Sequence, residues 1–200
     1  HGQRAYNGVA VLARSEPTSP ERGLGDGGDD SAARLLTARV GELHVASVYV
    51  PNGGVVGSDK WAYKLAWLAR LRAWLDRRFA KSDLVALCGD FNVAPEPRDV
   101  CDPGVWAASV LFNPEARAAL ERVKEWGLVD AVRLHRQEAG LYTWWDYRML
   151  AFPRDRGLRI DHVLLSEPLA KRCRSASIAR DERKGQQPSD HVPVIVELDL

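Results

Sequence analysis

Four short segments carry the side chains best suited to chemistry: Tyr49-Val50-Pro51-Asn52, Gly89-Asp90-Phe91-Asn92, Arg159-Ile160-Asp161-His162 and Ser189-Asp190-His191. Each lies where an apolar, strand-like run begins or stops, so its polar groups sit at the lip of a sheet. Together they offer carboxylates for a hard divalent cation, an amide and a phenol for phosphate oxygens, and a histidine with an orienting carboxylate. That inventory suits hydrolysis of a phosphate ester.

Each segment also has a plainer reading. Asp90 can take a proton from an attacking water, with Asn92 holding the water or a phosphate oxygen, and Phe91 pointing away to anchor the turn. The same residues can close a strand as an Asx turn. Asp190 and His191 can bind a metal and donate to phosphate, or form a surface pair in the loop after Pro188. Asp161 can cap the following strand or orient a histidine, and His162 beside it packs or faces solvent. Tyr49 and Asn52 can bond a phosphate without adding charge, or merely flank a Pro-Asn-Gly turn. No single motif decides. Four at strand ends in one chain argue for a site.

The elements that must position them follow from periodicity. Gly8 to Ala13 reads as a strand, followed by a Gly-, Pro-, Ser- and Asp-rich loop from Glu16 to Asp30. Ala33 to Val40 and Leu43 to Val50 form a hairpin turned at Gly41-Glu42, with Tyr49 at the C-terminal lip. Lys60 to Phe79 is an amphipathic helix capped by Ser58 or Asp59, whose Trp61, Trp67 and Trp74 are read as core. Leu84 to Cys88 has the unbroken apolar run of a strand buried on both faces. A second helix runs from Pro114 to about Trp126, between the Asn113 cap and the Gly127 stop. Further strands fall near Tyr142 to Trp145, Ile160 to Ser166, Ser175 to Ala179 and Val192 to Leu198. This alternation predicts a layered α/β domain, sheet packed on sheet with helices outside.

Bulk properties narrow the class. Two hundred residues suit one domain, 1–200, with a sizeable core. A net charge of +1 excludes a basic nucleic-acid arm, so a polyanion must be met by a local patch or a bound cation. Cys88, Cys101 and Cys173 are odd in number and form no C-x-x-C pair, which argues against a disulfide framework and for a reducing cytoplasm. No run approaches the roughly 18 apolar residues of a membrane span.

Taken in order, the segments resemble the exonuclease III family of abasic-site DNA repair nucleases, within the endonuclease/exonuclease/phosphatase superfamily. The resemblance covers nearly the whole chain. It rests on Tyr6 to Ala10, Tyr49 to Gly53, Gly89 to Pro95, Trp126 to Asp130, Tyr142 to Arg148, Arg156 to His162 and Ser189 to His191. The GDxN and SDH pieces belong to the whole superfamily. The W-x-D-Y-R piece (Trp144 to Arg148) and R-G-L-R-I-D (Arg156 to Asp161) point to the bacterial branch.

The resemblance implies a four-layered α/β sandwich: two mixed β-sheets packed face to face, with helices outside. It implies that Asp90 and Asn92 position the attacking water, Tyr49 contacts the scissile phosphate with Asn52 nearby, and Asp161 orients His191 on a non-bridging oxygen. Asp190, with Asp90 and Asn92, would serve a Mg²⁺ or Mn²⁺ site. Trp144, Leu158 and Ile160 would line the pocket for a flipped-out base-free sugar, and Arg148 and Arg159 would touch backbone phosphates. The implied partner is double-stranded DNA with abasic sites or blocked 3′ ends, acted on by a cytoplasmic monomer. Alternatives are a lipid or inositol phosphodiesterase of the superfamily and a non-catalytic DNA-binding remnant. The family's opening strands, one bearing an Asn and one ending in its principal metal-binding Glu, have no counterpart here. The chain is therefore expected to lack its N-terminal strands and half of the metal shell, and to be weakly active or inactive and less stable alone.

Overall fold

The computed structural model describes residues 1–28 and 31–200. Its main sheet has six strands in the order β1-β2-β3-β4-β6-β5. These are β1 (Thr18–Arg22), β2 (Leu35–Val40), β3 (Leu43–Tyr49), β4 (Val85–Asp90), β5 (Leu128–Asp130) and β6 (Asp161–Ser166). A second sheet pairs β7 (Cys173–Ile178) with β8 (Val194–Leu198) in antiparallel fashion. The helices are α1 (Asp59–Arg78), α2 (Pro103–Trp106), α3 (Pro114–Lys124), α4 (Ala131–His135) and α5 (Glu167–Ala170).

The two faces of the main sheet bury different partners. Ala46, Val48, Val85, Leu87 and Leu164 join α1 and α3 in the larger apolar core. Ala86 and Leu165 face the other way and pack with Ala176, Val194, Val196 and Leu198 of the second sheet, together with residues of α4 and α5. Thus β4 is buried on both faces, as its unbroken apolar run predicts. The expected sandwich is present as a six-stranded sheet against a two-stranded one.

Helix α1 shows why the sequence folds as it does. Ser58 accepts a hydrogen bond from the Trp61 N–H, and Arg77 and Arg78 complement the dipole in the last turn. Trp61, Trp67, Leu68, Leu71, Trp74 and Leu75 are all buried. Each such side chain contributes about 1.5–3 kcal/mol of apolar burial. The tryptophans are core, as expected. Asn113 caps α3 by accepting from the Glu115 N–H.

Three expectations fail. Gly8 to Ala13 makes no strand; its one ladder contact is the Gly8–Gly2 bridge, and Ala10 and Leu12 are exposed. Tyr142 to Trp145 makes none either, only single bridges from Trp144 to Leu158 and His191. Both have strand-like composition but no neighbouring strand to complete a ladder. Conversely, β1 forms inside the expected Glu16 to Asp30 loop, all five residues exposed, because β2 offers it a free edge. Asp29 and Asp30 lie outside the described residues.

Register brings the site together. Strands β3 and β4 are parallel with Tyr49 opposite Asp90, and β4 and β6 are antiparallel with Asp90 opposite Asp161. Tyr49, Asp90 and Asp161 therefore form one row across three neighbouring strands. Gly89 permits that approach: its φ is +142°, and a Cβ there would stand 2.0 Å from the Val48 carbonyl oxygen. Gly89→Ala should cost on the order of 3 kcal/mol by overpacking against backbone. Gly41→Ala, which meets open space, should cost about 1 kcal/mol for its left-handed φ alone. Urea unfolding of the two variants measures the contrast.

Candidate active site

At the end of β4 the chain turns through Asn92, a residue with φ +51° and nearly complete burial. The Asp90 carboxylate holds that turn, Oδ1 accepting from the Asn92 backbone N–H at 2.8 Å and Oδ2 from its side-chain amide at 3.0 Å. The Asn92 amide also donates to the Val50 carbonyl at 3.0 Å, and its Oδ1 accepts from Asn52 Nδ2 at 3.0 Å. So the Asx turn and the functional arrangement are the same object. Asn92 is locked in place by the end of its own strand and by the loop after β3.

On the other side of Asp90, Asp161 opens β6. The Thr143 hydroxyl accepts from the backbone N–H groups of Ile160 and Asp161, at 3.1 Å each, and so sets the entry of that strand. The Asp161 carboxylate bonds Nδ1 of His191 at 2.9 and 3.1 Å. This leaves Nε2 as the ring's remaining donor. Asp190, next to it, accepts from the Trp144 indole N–H at 2.9 Å through Oδ2. Tyr49, Asp90, Asp161 and His191 line one groove of about 400 Å³, with Ser47, Val48 and the Gly8–Ala10 backbone forming the rest of its wall.

The electrostatics match this crowding. Burial and the adjacent Asp161 charge push the Asp90 carboxyl up to about 7, with His191 working against them. Burial pulls the His191 imidazolium down, but the hydrogen bond and charge of Asp161, with Asp90 and Asp190, lift it to about 9. At neutral pH the row therefore holds a proton acceptor near half-titration beside a cationic donor.

The remaining expected site residues separate. Arg148 has a side chain 84 % exposed, paired with Asp146, on the wall of a larger groove of about 950 Å³ that includes Trp106, Arg154 and Arg156. That groove contains none of the Tyr49–Asp90–Asp161–His191 set. Trp144 keeps part of its ring at the surface, edge-on to Trp106 at 6.2 Å. Leu158 and Ile160, expected to line a sugar pocket, are instead inside the larger core. They back Trp144 and the strand entry and present no surface to a ligand.

Arg159 is a clear correction. It is fully buried, its guanidinium donating to Asp99 at 2.7 and 3.2 Å and to Asp130 at 2.6 Å. Arg133 also pairs with Asp99. Burial works against the ionised Asp99 and Asp130, yet the Arg159 charge keeps both below the usual carboxylate range. His162 completes the cluster, Nδ1 meeting Arg159 at 3.1 Å and Nε2 the Val93 carbonyl at 2.8 Å. Arg159 thus supports the Asp161 strand from below and, fully buried, presents nothing to DNA.

Two contributors escaped the sequence reading. Arg34 stacks on the Tyr49 ring at 4.9 Å and donates to the Tyr49 carbonyl at 3.2 Å. Lys64 is completely buried on the apolar face of α1, three residues after Trp61 and four before Leu68. A lysine inside that stripe was the available signal. As for a metal, the donors near the row fit a hard divalent cation in kind, being carboxylate and amide oxygens. Among the described residues no group of three or more His, Cys, Asp or Glu side chains is disposed to hold an ion, so a cation here would be held by one or two carboxylates completed by water and phosphate oxygens.

Residues 1–191 match the family model described as the endonuclease/exonuclease/phosphatase family. The chain belongs to this family. Exodeoxyribonuclease III of Haemophilus influenzae is 34 % identical over 213 residues, covering 99 % of this chain and 79 % of that protein. The solved 3′ phosphatase NExo from Neisseria, bound to a product DNA hairpin, is similar with a TM-score of 0.88 and 34 % identity, covering 94 % of this chain and 73 % of that one. An AP endonuclease structure from Archaeoglobus fulgidus gives a TM-score of 0.86 and 35 % identity, covering 92 % and 72 % of the two chains. Among the described residues no helix is long and apolar enough to cross a membrane.

The buried cluster generates a test within this endonuclease/exonuclease/phosphatase domain. Arg159→Ala leaves Asp99 and Asp130 buried without their cation and should cost about 3–5 kcal/mol in chemical denaturation. Arg148→Ala, at an exposed pair, should stay within about 0.5 kcal/mol.

Proposed function

We propose that this chain is the catalytic body of a DNA repair nuclease that hydrolyses phosphodiesters by direct attack of water. The observation that carries the reading is the single row of Tyr49, Asp90 and Asp161 facing one groove, with His191 bonded to its end. Asp90 takes a proton from the attacking water, and Asn92, locked by Val50 and Asn52, orients that water. His191, held by Asp161, donates through Nε2 to a non-bridging phosphate oxygen, and the Tyr49 phenol donates to the same phosphate.

The family depends on a divalent cation. We assign Mg²⁺, with Mn²⁺ as a substitute. Asp190 and Asp90 would be its oxygen ligands from this chain, and the ion would stabilise charge on the phosphate and the leaving oxygen. The substrate is duplex DNA. Relatives named as an exodeoxyribonuclease, an AP endonuclease and a 3′ phosphatase point to abasic sites and blocked 3′ ends. Arg148, with Arg154 and Arg156 around the larger groove, suits the flanking backbone phosphates, and the half-exposed Trp144 suits an apolar sugar.

An assay on a duplex carrying one abasic-site analogue decides. We expect cation-dependent nicking, lowered about 10²–10⁴-fold by His191→Ala with binding largely retained, and Asp190→Ala should likewise remove cleavage. Cleavage of a soluble phosphodiester in preference to the abasic duplex would assign the chain to another branch of the family. Binding with no turnover under any cation would make it a non-catalytic DNA binder.

The pH profile has a fixed sign. Asp90 must be ionised to accept a proton, so the rate should rise with pH along the acidic limb as that carboxyl, held up by burial and the Asp161 charge, loses its proton. His191 must keep its proton to donate, so the rate should fall above about 9. A kcat series from pH 5.5 to 10 checks both limbs, and Asp161→Asn should move the upper one downward.

A further inference from the structure

Lys64 is a buried ammonium whose three N–H donors meet three carbonyls from three separate loops. Nζ lies 3.1 Å from the Asn52 oxygen, 2.7 Å from that of Asn92 and 2.6 Å from that of Val110. These loops follow β3, follow β4 and precede α3, respectively. Among the described residues no carboxylate ion pair accounts for the side chain: it is 0 % exposed, and the charge that bears on it is the Asp90 carboxylate. The stem is equally committed. Gly53, at φ +98°, would place a Cβ 2.9 Å from Lys64 Cδ and 3.2 Å from the Trp61 ring, so the Asn52-Gly53 turn is shaped around it.

Three converging carbonyls repel one another unless a cation or a set of donors sits between them. An ammonium with three tetrahedrally spaced donors meets that need. Two of the carbonyls belong to Asn52 and Asn92, the residues whose side chains bond each other at 3.0 Å. Asn92 is also the residue held at positive φ by Asp90.

We propose that Lys64 is a positioning residue of the catalytic groove, clamping the loops after β3 and β4 so that the Asn92 amide stays fixed beside Asp90. It acts through Asn92 and touches no substrate. The kinetic consequence rests on the phosphodiesterase reading above; the structural consequence does not.

The test compares Lys64→Met, similar in length and without donors, with Leu169→Ala, which opens a cavity in the second core at a position 0 % exposed. On the abasic duplex, Lys64→Met should lower kcat about 10²-fold, as expected for a displaced reacting group, with KM within about twofold. Leu169→Ala should lower thermal stability without that loss. Lys64→Arg should not restore the rate, because a planar guanidinium cannot address three carbonyls from one point. In amide-region NMR spectra the Asn92 side-chain resonances should shift in Lys64→Met and hold still in Leu169→Ala.

An unchanged kcat in Lys64→Met, a loss matched by Leu169→Ala, or an unmoved Asn92 amide would each overturn the proposal. One measurement needs no variant. At pH 6 the Lys64 ammonium should give its own slowly exchanging ¹H–¹⁵N signal with couplings across hydrogen bonds to the three carbonyl carbons, and its absence would also overturn the clamp. Failure of the unsubstituted chain to cleave any phosphodiester would count against the nuclease reading, while the spectra would still decide the role of Lys64.

Discussion

The rest of this structure depends on one register: Tyr49 opposite Asp90, and Asp90 opposite Asp161, across three neighbouring strands. Two carboxylates in adjacent strands, one of them buried, repel each other in a medium that screens poorly. The surroundings are arranged around that cost. His191 brings a positive charge to Asp161, and Asn92 brings two N–H donors to Asp90. Gly89 supplies the close backbone approach without which the row would splay, since any Cβ would strike the Val48 carbonyl. The raised pKa of the Asp90 carboxyl is thus a consequence of packing, and a one-residue slip of β4 would turn the carboxylate to the opposite face.

Beneath the row lies a second polar layer that does no chemistry of its own. Asp99, Asp130, Arg159 and His162 bond one another inside the domain, with Arg133 also paired to Asp99, and fix where β6 begins. Thr143 does the same with a single hydroxyl, and Lys64 with a single ammonium. Such groups are costly to bury and costlier to leave unpaired. They hold loops, which have no ladder of their own, to a tolerance that apolar contacts alone would not give. The groove is therefore built on the ends of three strands and their loops, and backed by a polar interior.

Much of the fold was legible in the sequence because local patterns were unambiguous. Helices α1 and α3 carry caps, stops and apolar stripes, and β2, β3 and β4 show alternating or continuous apolar runs. The errors fall on segments whose state depends on a neighbour. Gly8 to Ala13 and Tyr142 to Trp145 have the composition of strands, but a strand exists only when another lends it hydrogen bonds. Exposed β1 exists for the converse reason, with little apolar content but a willing edge in β2.

The site divides in the same way. Residue type and strand-end spacing by themselves pointed to Tyr49, Asp90, Asn92, Asp161 and His191 as a phosphate-ester constellation, because few side chains can move protons or bond phosphate. Only the tertiary structure decided that Asp161 lies beside Asp90 and bonds His191, that Arg159 faces inward to Asp99 and Asp130, and that Lys64 reaches three loops. An arginine reads identically in sequence whether it meets a phosphate or a buried carboxylate. The choice belongs to residues 60 and 29 positions away, which only the folded chain brings within bonding distance.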